Sequence, residues 1–167
     1  MAVLAKAPLE VPRQSSLDVC APLFAARVAK VLHEMRAHGM PCVVVETLRT
    51  PERQAYLYGF GRQYDDGRGR VTKAASSLTS WHGYGLAADI VHAARYWNAG
   101  PEFWKALGET AEAHGLTWGG RWRSPDRPHV QWGGCPVSPT KRHHGMVLAP
   151  DGMRQVWADV GALGELV

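Results

Sequence analysis

The sequence predicts an α+β fold, a small antiparallel sheet with helices packed on one side. Three observations carry this. The periodicities run helix, strand, helix, long loop, strand, helix, strand, strand, an order that does not alternate as a doubly wound α/β chain would. The strand candidates are short, and the last two flank the turn-rich stretch RSPDRP. Neither a G-x-G-x-x-G nor a P-loop is present. At 167 residues, 46% hydrophobic and 20% charged, the chain has the size and composition of one globular domain.

Each element has its local reason. Residues 1–15 carry Pro8 and Pro12 and read as a loose leader. From Ser16 to His38, Leu17, Cys20, Leu23, Phe24, Val28, Val31, Leu32 and Met35 recur at three- and four-residue steps, which predicts an amphipathic helix ended by Gly39. CVVVETL, after Pro41, is β-branched and continuous, as a buried strand is. In TPERQAYLYG, Thr50 serves as N-cap, Pro51 takes the first helical position and Gly59 ends the helix. Residues 60–77 are rich in glycine and charge and predict a long surface loop, a lid or binding segment. GLAADIVHA reads as a strand with Ala87, Asp89 and Val91 on one face and Leu86, Ala88 and Ile90 on the other. A helix over 102–114 buries Phe103, Leu107 and Ala111 and closes at Gly115. LTWGGRW and HVQW are the last two strands. Beyond Cys135, PVSPTKRHHG reads as a solvated linker and PDGMRQVWADVGAL as a terminal helix. The expected organisation is a leader (1–15), one main domain (16–135) and a C-terminal linker and helix (136–167).

Composition narrows the function classes. A net charge of +4 and a pI near 9.1 favour polyanionic partners but are too mild to make a nucleic-acid binder. The basic residues are scattered, without a stripe or recognition helix. Cys20, Cys42 and Cys135 cannot all pair and form no C-x-x-C, so neither a disulfide framework nor a zinc knuckle is expected. MAVLAKAPLEVPRQ is too weakly apolar for a secretory signal, and no run approaches membrane-spanning length. Synthesis in the cytoplasm without membrane insertion is the expectation.

The chemistry is concentrated in two short stretches. SWHGYGLAAD holds His82 and Asp89, and SPDRPHVQW holds Asp126 and His129. A catalytic zinc site needs three protein ligands and one open position, and His82, Asp89 and His129 are candidates. Seven residues separate the first two, so an unbroken strand would aim them at opposite faces; Gly83 and Gly85 supply a break. Asp126, stiffened between Pro125 and Pro128, is placed as general base for a water whose pKa a metal lowers to roughly 7. Arg49, just after the first strand, suits a developing oxyanion, with Arg53 as its substitute. Trp81, Trp118, Trp122 and Trp132 crowd the two motifs, with core packing as their default role and substrate lining as the alternative. His33, His38, His92, His114, His143 and His144 read as surface or satisfied core histidines.

SWHGYGLAAD fits S-x-H-x-x-G-x-A-x-D, and DRPH fits the acid-x-x-His element of the zinc D-Ala-D-Ala carboxypeptidase and L-alanyl-D-glutamate endopeptidase family, which includes VanY-like peptidases and phage endolysins. TLRTPERQAYLYGFGR resembles its upstream arginine-containing segment and WGGRW the segment before the last ligand, so the resemblance covers roughly residues 20–135. It implies a Hedgehog/DD-peptidase-like fold and Zn2+ held by His82, Asp89 and His129. It implies Asp126 as catalytic base, Arg49 as carbonyl or oxyanion partner, and Ser80, Arg53, Gln54 and Trp81 on the substrate side. Val130-Gln131 departs from the aromatic and acid that often follow the last histidine. An aspartate as base resembles the endopeptidase branch, so the implied activity is cleavage of the peptidoglycan stem peptide between L-Ala and D-Glu. Such an enzyme acts on the wall after holin-type release or injection, without a nucleic-acid partner and with a monomer as the default state. A D-Ala-D-Ala-type carboxypeptidase and a non-catalytic wall-binding module are the alternatives.

Overall fold

Four short strands organise the chain. In the computed structural model, which describes residues 4–164, β1 (Cys42–Glu46), β2 (Ala87–His92), β3 (Leu116–Trp118) and β4 (His129–Trp132) form one antiparallel sheet in the order β1-β2-β4-β3. Cross-strand partners share a face. The pairs Val44–Ile90, Ala88–Val130 and Leu116–Trp132 define an apolar face. Helices α1 (Pro22–Ala37) and α3 (Pro101–Ala113) share one core with it through Phe24, Val28, Val31, Met35, Phe103, Leu107 and Ala111. This is the expected α+β arrangement.

The opposite face carries the polar residues. Asp89 pairs with His129, and Ala87 with Gln131. The β1–β2 register slips between Val44 and Glu46, so that Glu46 and not Val45 stands opposite Asp89. A bulge of this kind re-aims one side chain, here a carboxylate onto the site face.

Local signals set most boundaries where expected. Thr50 Oγ1 accepts from the Arg53 backbone N–H at 3.1 Å, and α2 (Pro51–Gly59) begins at Pro51. The helix expected over 16–38 is interrupted, however. Leu17–Val19 form a 3-10 turn capped by Ser16, the chain extends at Cys20 and Ala21, and α1 starts at Pro22. A proline inside a continuous helix would clash with the carbonyl four residues earlier, whereas the first helical position needs no N–H. β1 lies at the sheet edge and Val43 is exposed, so it is not buried throughout as its composition suggested. LTWGGRW is strand only over Leu116–Trp118 and then turns through Gly119–Arg121.

Both ends of the chain correct the sequence reading. Within the leader, residues 4–15 are not loose: Gln14 O accepts from Thr47 N at 2.7 Å, and Val11 O from Arg53 Nη1 at 2.8 Å. Ala7 and Val11 also pack with Tyr56, Leu57, Phe60 and Tyr64 in a second small cluster, which anchors part of the long loop. The expected linker contains a helix, α4 (Lys141–Val147), in which His143 is buried and its Nδ1 meets Thr140. α5 (Gly152–Asp159) then returns Val156 and Ala162 to the main core, and Trp157 Nε1 donates to Tyr84 O at 2.6 Å. Among the described residues no helix is long and apolar enough to cross a membrane.

Candidate metal centre

His82 and Asp89 converge because the chain turns between them. Trp81–Tyr84 form a 3-10 turn, and Gly85 ends it in the left-handed region at φ 64°. At Gly83 a Cβ would lie 2.1 Å from Ser77 O, so no side chain fits. The two glycines thus make the break expected of them, by a helical turn instead of a strand bulge.

Each imidazole presents one nitrogen to the carboxylate and has the other held. His82 Nδ1–H donates to Thr47 O at 2.8 Å, and its buried Nε2 has no hydrogen-bond partner. His129 Nε2–H donates to Gln131 Oε1 at 2.9 Å, which leaves Nδ1 with its lone pair. His82 Nε2 stands 3.4 Å and His129 Nδ1 3.7 Å from Asp89 Oδ1, and one ligand atom from each of the three residues lies within 4.8 Å of the others. Ligands about 2.1 Å from a tetrahedral zinc stand roughly 3.4 Å apart. The donor set, the spacing and the orphaned Nε2 therefore fit such a cation.

Electrostatics couple the three groups tightly. Burial opposes ionisation of Asp89, but the His82 and His129 rings outweigh it and hold its carboxyl well below the ordinary range. Burial likewise disfavours a charged His129, and the hydrogen bond and charge of Asp89 raise its pKa nonetheless. Two imidazoles around an anionic carboxylate are a ready set of ligands for a divalent ion.

Arg49 adjoins the three. Its Nη2 donates to Glu46 Oε2 at 2.6 Å and lies 3.6 Å from Asp89 Oδ2, Nη1 donates to Gln54 Oε1 at 3.1 Å, and the buried Nε–H is unpartnered. Glu46 grips Arg53 as well, accepting from its Nε at 2.9 Å. Desolvation pushes the Glu46 carboxyl up, and the two arginines more than compensate, so its pKa lies below the ordinary value. A depressed pKa stabilises the fold above the unfolded-state value and ceases to do so as pH falls through the folded-state value. Glu46→Gln is therefore expected to lose on the order of 3 kcal/mol at neutral pH, because two buried arginines lose the carboxylate they share. Its stability should also depend less on pH below about 4.5, which urea titrations across that window would measure.

Asp126 sits on the loop before β4. Asp126 N donates to Gly119 O at 2.9 Å, Trp118 Nε1 to Arg127 O at 2.7 Å, and Ile90 N to Pro128 O at 2.9 Å, which pins the loop at three points. Loss of solvation in the cleft and then the Asp89 charge push its carboxyl above the ordinary value.

All these groups open on one cleft of about 1740 Å³, lined among others by Arg49, Ser80, His82, Asp89, Asp126 and His129. Trp122 joins them, its ring 5.0 Å from that of His129. Three residues expected on the substrate side are largely buried and already bonded within the protein. Gln54 is fully buried, its amide spent on Arg49 and on Ala74 O. Arg53 is 3% exposed, with its donors on Glu46, Glu10 and Val11 O, so it cannot substitute for Arg49 without unpairing. Trp81 reaches the cleft wall but is 2% exposed, packed against Tyr84 and His143 and bonded to Pro136 O, so packing is its main role. Ser80 remains half-buried at the cleft. Sequence reasoning missed the roles of Glu46, Thr47 and Gln131, and for Trp118, noted as a packing or lining residue, it missed the bond to Arg127 O that pins the loop. Only Glu46 had a visible signal, the three-residue step to Arg49 in ETLR.

Residues 73–132 match a family model described as D-alanyl-D-alanine carboxypeptidase, a span that holds Ser80, His82, Asp89, Asp126 and His129. No curated protein matches the chain. Among solved structures, the Serratia marcescens L-Ala D-Glu endopeptidase ChiX is similar at 19% identity and a TM-score of 0.53, covering 72% of this chain and 90% of its own. A mutant of the vancomycin-resistance D,D-pentapeptidase VanY from a VanB-type cassette, in complex with Zn(II), is similar at 18% identity and a TM-score of 0.54, covering 78% and 82%. The site-bearing segment thus matches the D-alanyl-D-alanine carboxypeptidase family model that its motifs resemble, within a fold shared with an L-Ala D-Glu endopeptidase and a D,D-pentapeptidase.

Proposed function

We propose that the protein is a zinc metallopeptidase of peptidoglycan stem peptides that cuts between L-Ala and D-Glu, as a lytic enzyme of the endolysin kind. The observation that carries this reading is the orphaned, buried Nε2 of His82 beside Asp89 and His129, in the same cleft as Asp126. Zinc, when bound by these three residues, supplies Lewis-acid polarisation of water and of the scissile carbonyl.

The chain's own residues do the rest. Thr47 O and Gln131 Oε1 fix the tautomers of the two histidines and keep the ligating nitrogens free of protons. Asp126 takes the proton of the attacking water and hands it to the leaving amine. Arg49, clamped by Glu46 and Gln54 on the cleft wall, presents its guanidinium to the oxygen on which negative charge develops. Ser80 lies on the cleft wall where the peptide backbone runs.

The test is mass spectrometry of purified muropeptides incubated with the protein, with and without chelator. Products that vanish with chelator and return with zinc support the reading, and their masses identify the bond. Loss of a terminal D-Ala instead would indicate the carboxypeptidase, the reading that the description of the matched family favours. Bound zinc without products would point to a wall-binding module, for which the loop pinned around Asp126 has no evident use. Gln131→Ala is expected to weaken zinc affinity about 10- to 100-fold, because His129 loses the acceptor that sets its tautomer. A competition titration with a chromophoric chelator would measure it.

A further inference from the structure

Tyr96 and Trp97 are held outward in water by a turn built to keep them there. Tyr96 is 48% and Trp97 51% exposed, and their rings stack at 6.1 Å between centroids. Tyr96 has φ 50°, a left-handed conformation unusual for an aromatic residue. Such strain persists only where the surroundings impose it, and here they do. His92 Nδ1 accepts from Ala94 N at 3.0 Å and Arg95 N at 3.2 Å, Tyr96 N donates to His92 O at 2.9 Å, and the His92 ring packs on Phe103. The strain gains no core packing, since both side chains face solvent. Trp97 lines the same cleft as the His82, Asp89 and His129 cluster, and the Arg13 guanidinium lies 5.4 Å from its ring centroid.

We propose that Tyr96 and Trp97 form an aromatic platform for a sugar ring of the glycan strand to which the stem peptide is attached. This rests on the proposed peptidase reading. The L-Ala and D-Glu that flank the proposed scissile bond offer little apolar surface for two aromatic rings. The C–H face of an amino-sugar pyranose is flat, apolar and of matching size, while its hydroxyl and acetamido groups can reach polar neighbours such as Arg13 and the exposed Asn98. A rigid aromatic pair loses little conformational freedom on binding, which suits it to this use. The platform would make the enzyme prefer peptides still carrying their disaccharide.

The experiment compares kcat/KM on a disaccharide-peptide and on the same peptide without sugar, using the full chain, and measures binding of an N-acetylglucosamine tetramer by tryptophan fluorescence. The disaccharide-peptide should be preferred by about five- to tenfold, the scale of one aromatic stacking contact. That ratio should fall towards one in Trp97→Ala and in Tyr96→Gly. Glycine tolerates φ 50°, so Tyr96→Gly should melt no lower than the parent, which separates loss of binding from loss of fold. A parental ratio near one, a ratio kept in both variants, or an equal slowing on both substrates overturns the platform; the last would assign the rings to the peptide. If neither substrate is cut, the peptidase reading fails by itself and the tetramer decides: binding lost in Trp97→Ala sustains the platform, and no binding to the parent overturns it.

Discussion

Replacing Asp126 by alanine is expected to lower kcat by about 10²- to 10⁴-fold, the range for a positioned general base, while one zinc per chain is retained. The expectation follows from where the carboxylate stands. Asp126 is outside the group of three whose ligand atoms cluster, and it lies on an exposed loop pinned by Gly119, Trp118 and Ile90. Removing its side chain leaves those backbone and indole hydrogen bonds intact, so the fold and the donor set should survive. Its raised pKa, caused by desolvation and by Asp89, suits a group that accepts a proton and gives it up within one turnover. Steady-state kinetics on a defined muropeptide, with zinc per chain by elemental analysis, is the check. Loss of zinc in the variant would make Asp126 a ligand and not the base.

Arg49→Ala should cost about 10²- to 10³-fold in kcat, as the loss of one oxyanion donor does. The substitution also takes from the buried Glu46 one of its two arginine partners, so a lower melting temperature is expected with it. Arg49→Lys separates the two effects. An ammonium keeps the charge beside Glu46 and Asp89 but cannot reproduce a planar fork that reaches Glu46 and Gln54 together. The lysine variant should therefore be nearly as stable as the parent and almost as inactive as the alanine variant. Full activity in Arg49→Lys would reduce the role of Arg49 to charge alone.

The candidate ligands were legible because their signals are local. His82 and Asp89 stand out in SWHGYGLAAD by glycines and by a carboxylate in an apolar run, and Asp126 and His129 by the prolines around them. Thr50 and Pro51 announce a helix start through chemistry confined to one turn, and Pro22 could have announced the break in the first helix by the same rule. The partners of these residues were not legible in that way. Gln54 and Trp81 look available in the chain and are spent on Arg49 and the core once it folds.

By itself the sequence determined the α+β class, local helix starts such as Thr50-Pro51, and the two motifs that carry the candidate residues His82, Asp89, Asp126 and His129. Tertiary structure alone decided the rest. It set the bulge that turns Glu46 onto the site face, the Gln131 carbonyl that orients His129, the leader that docks on Thr47 and Arg53, and the C-terminal helices that return to the core. The division has one physical cause. Caps, turns and periodicity are energies of neighbouring residues, whereas register, burial and hydrogen-bond partnership are settled between segments tens of residues apart, where each side chain meets whatever the sheet has placed opposite it.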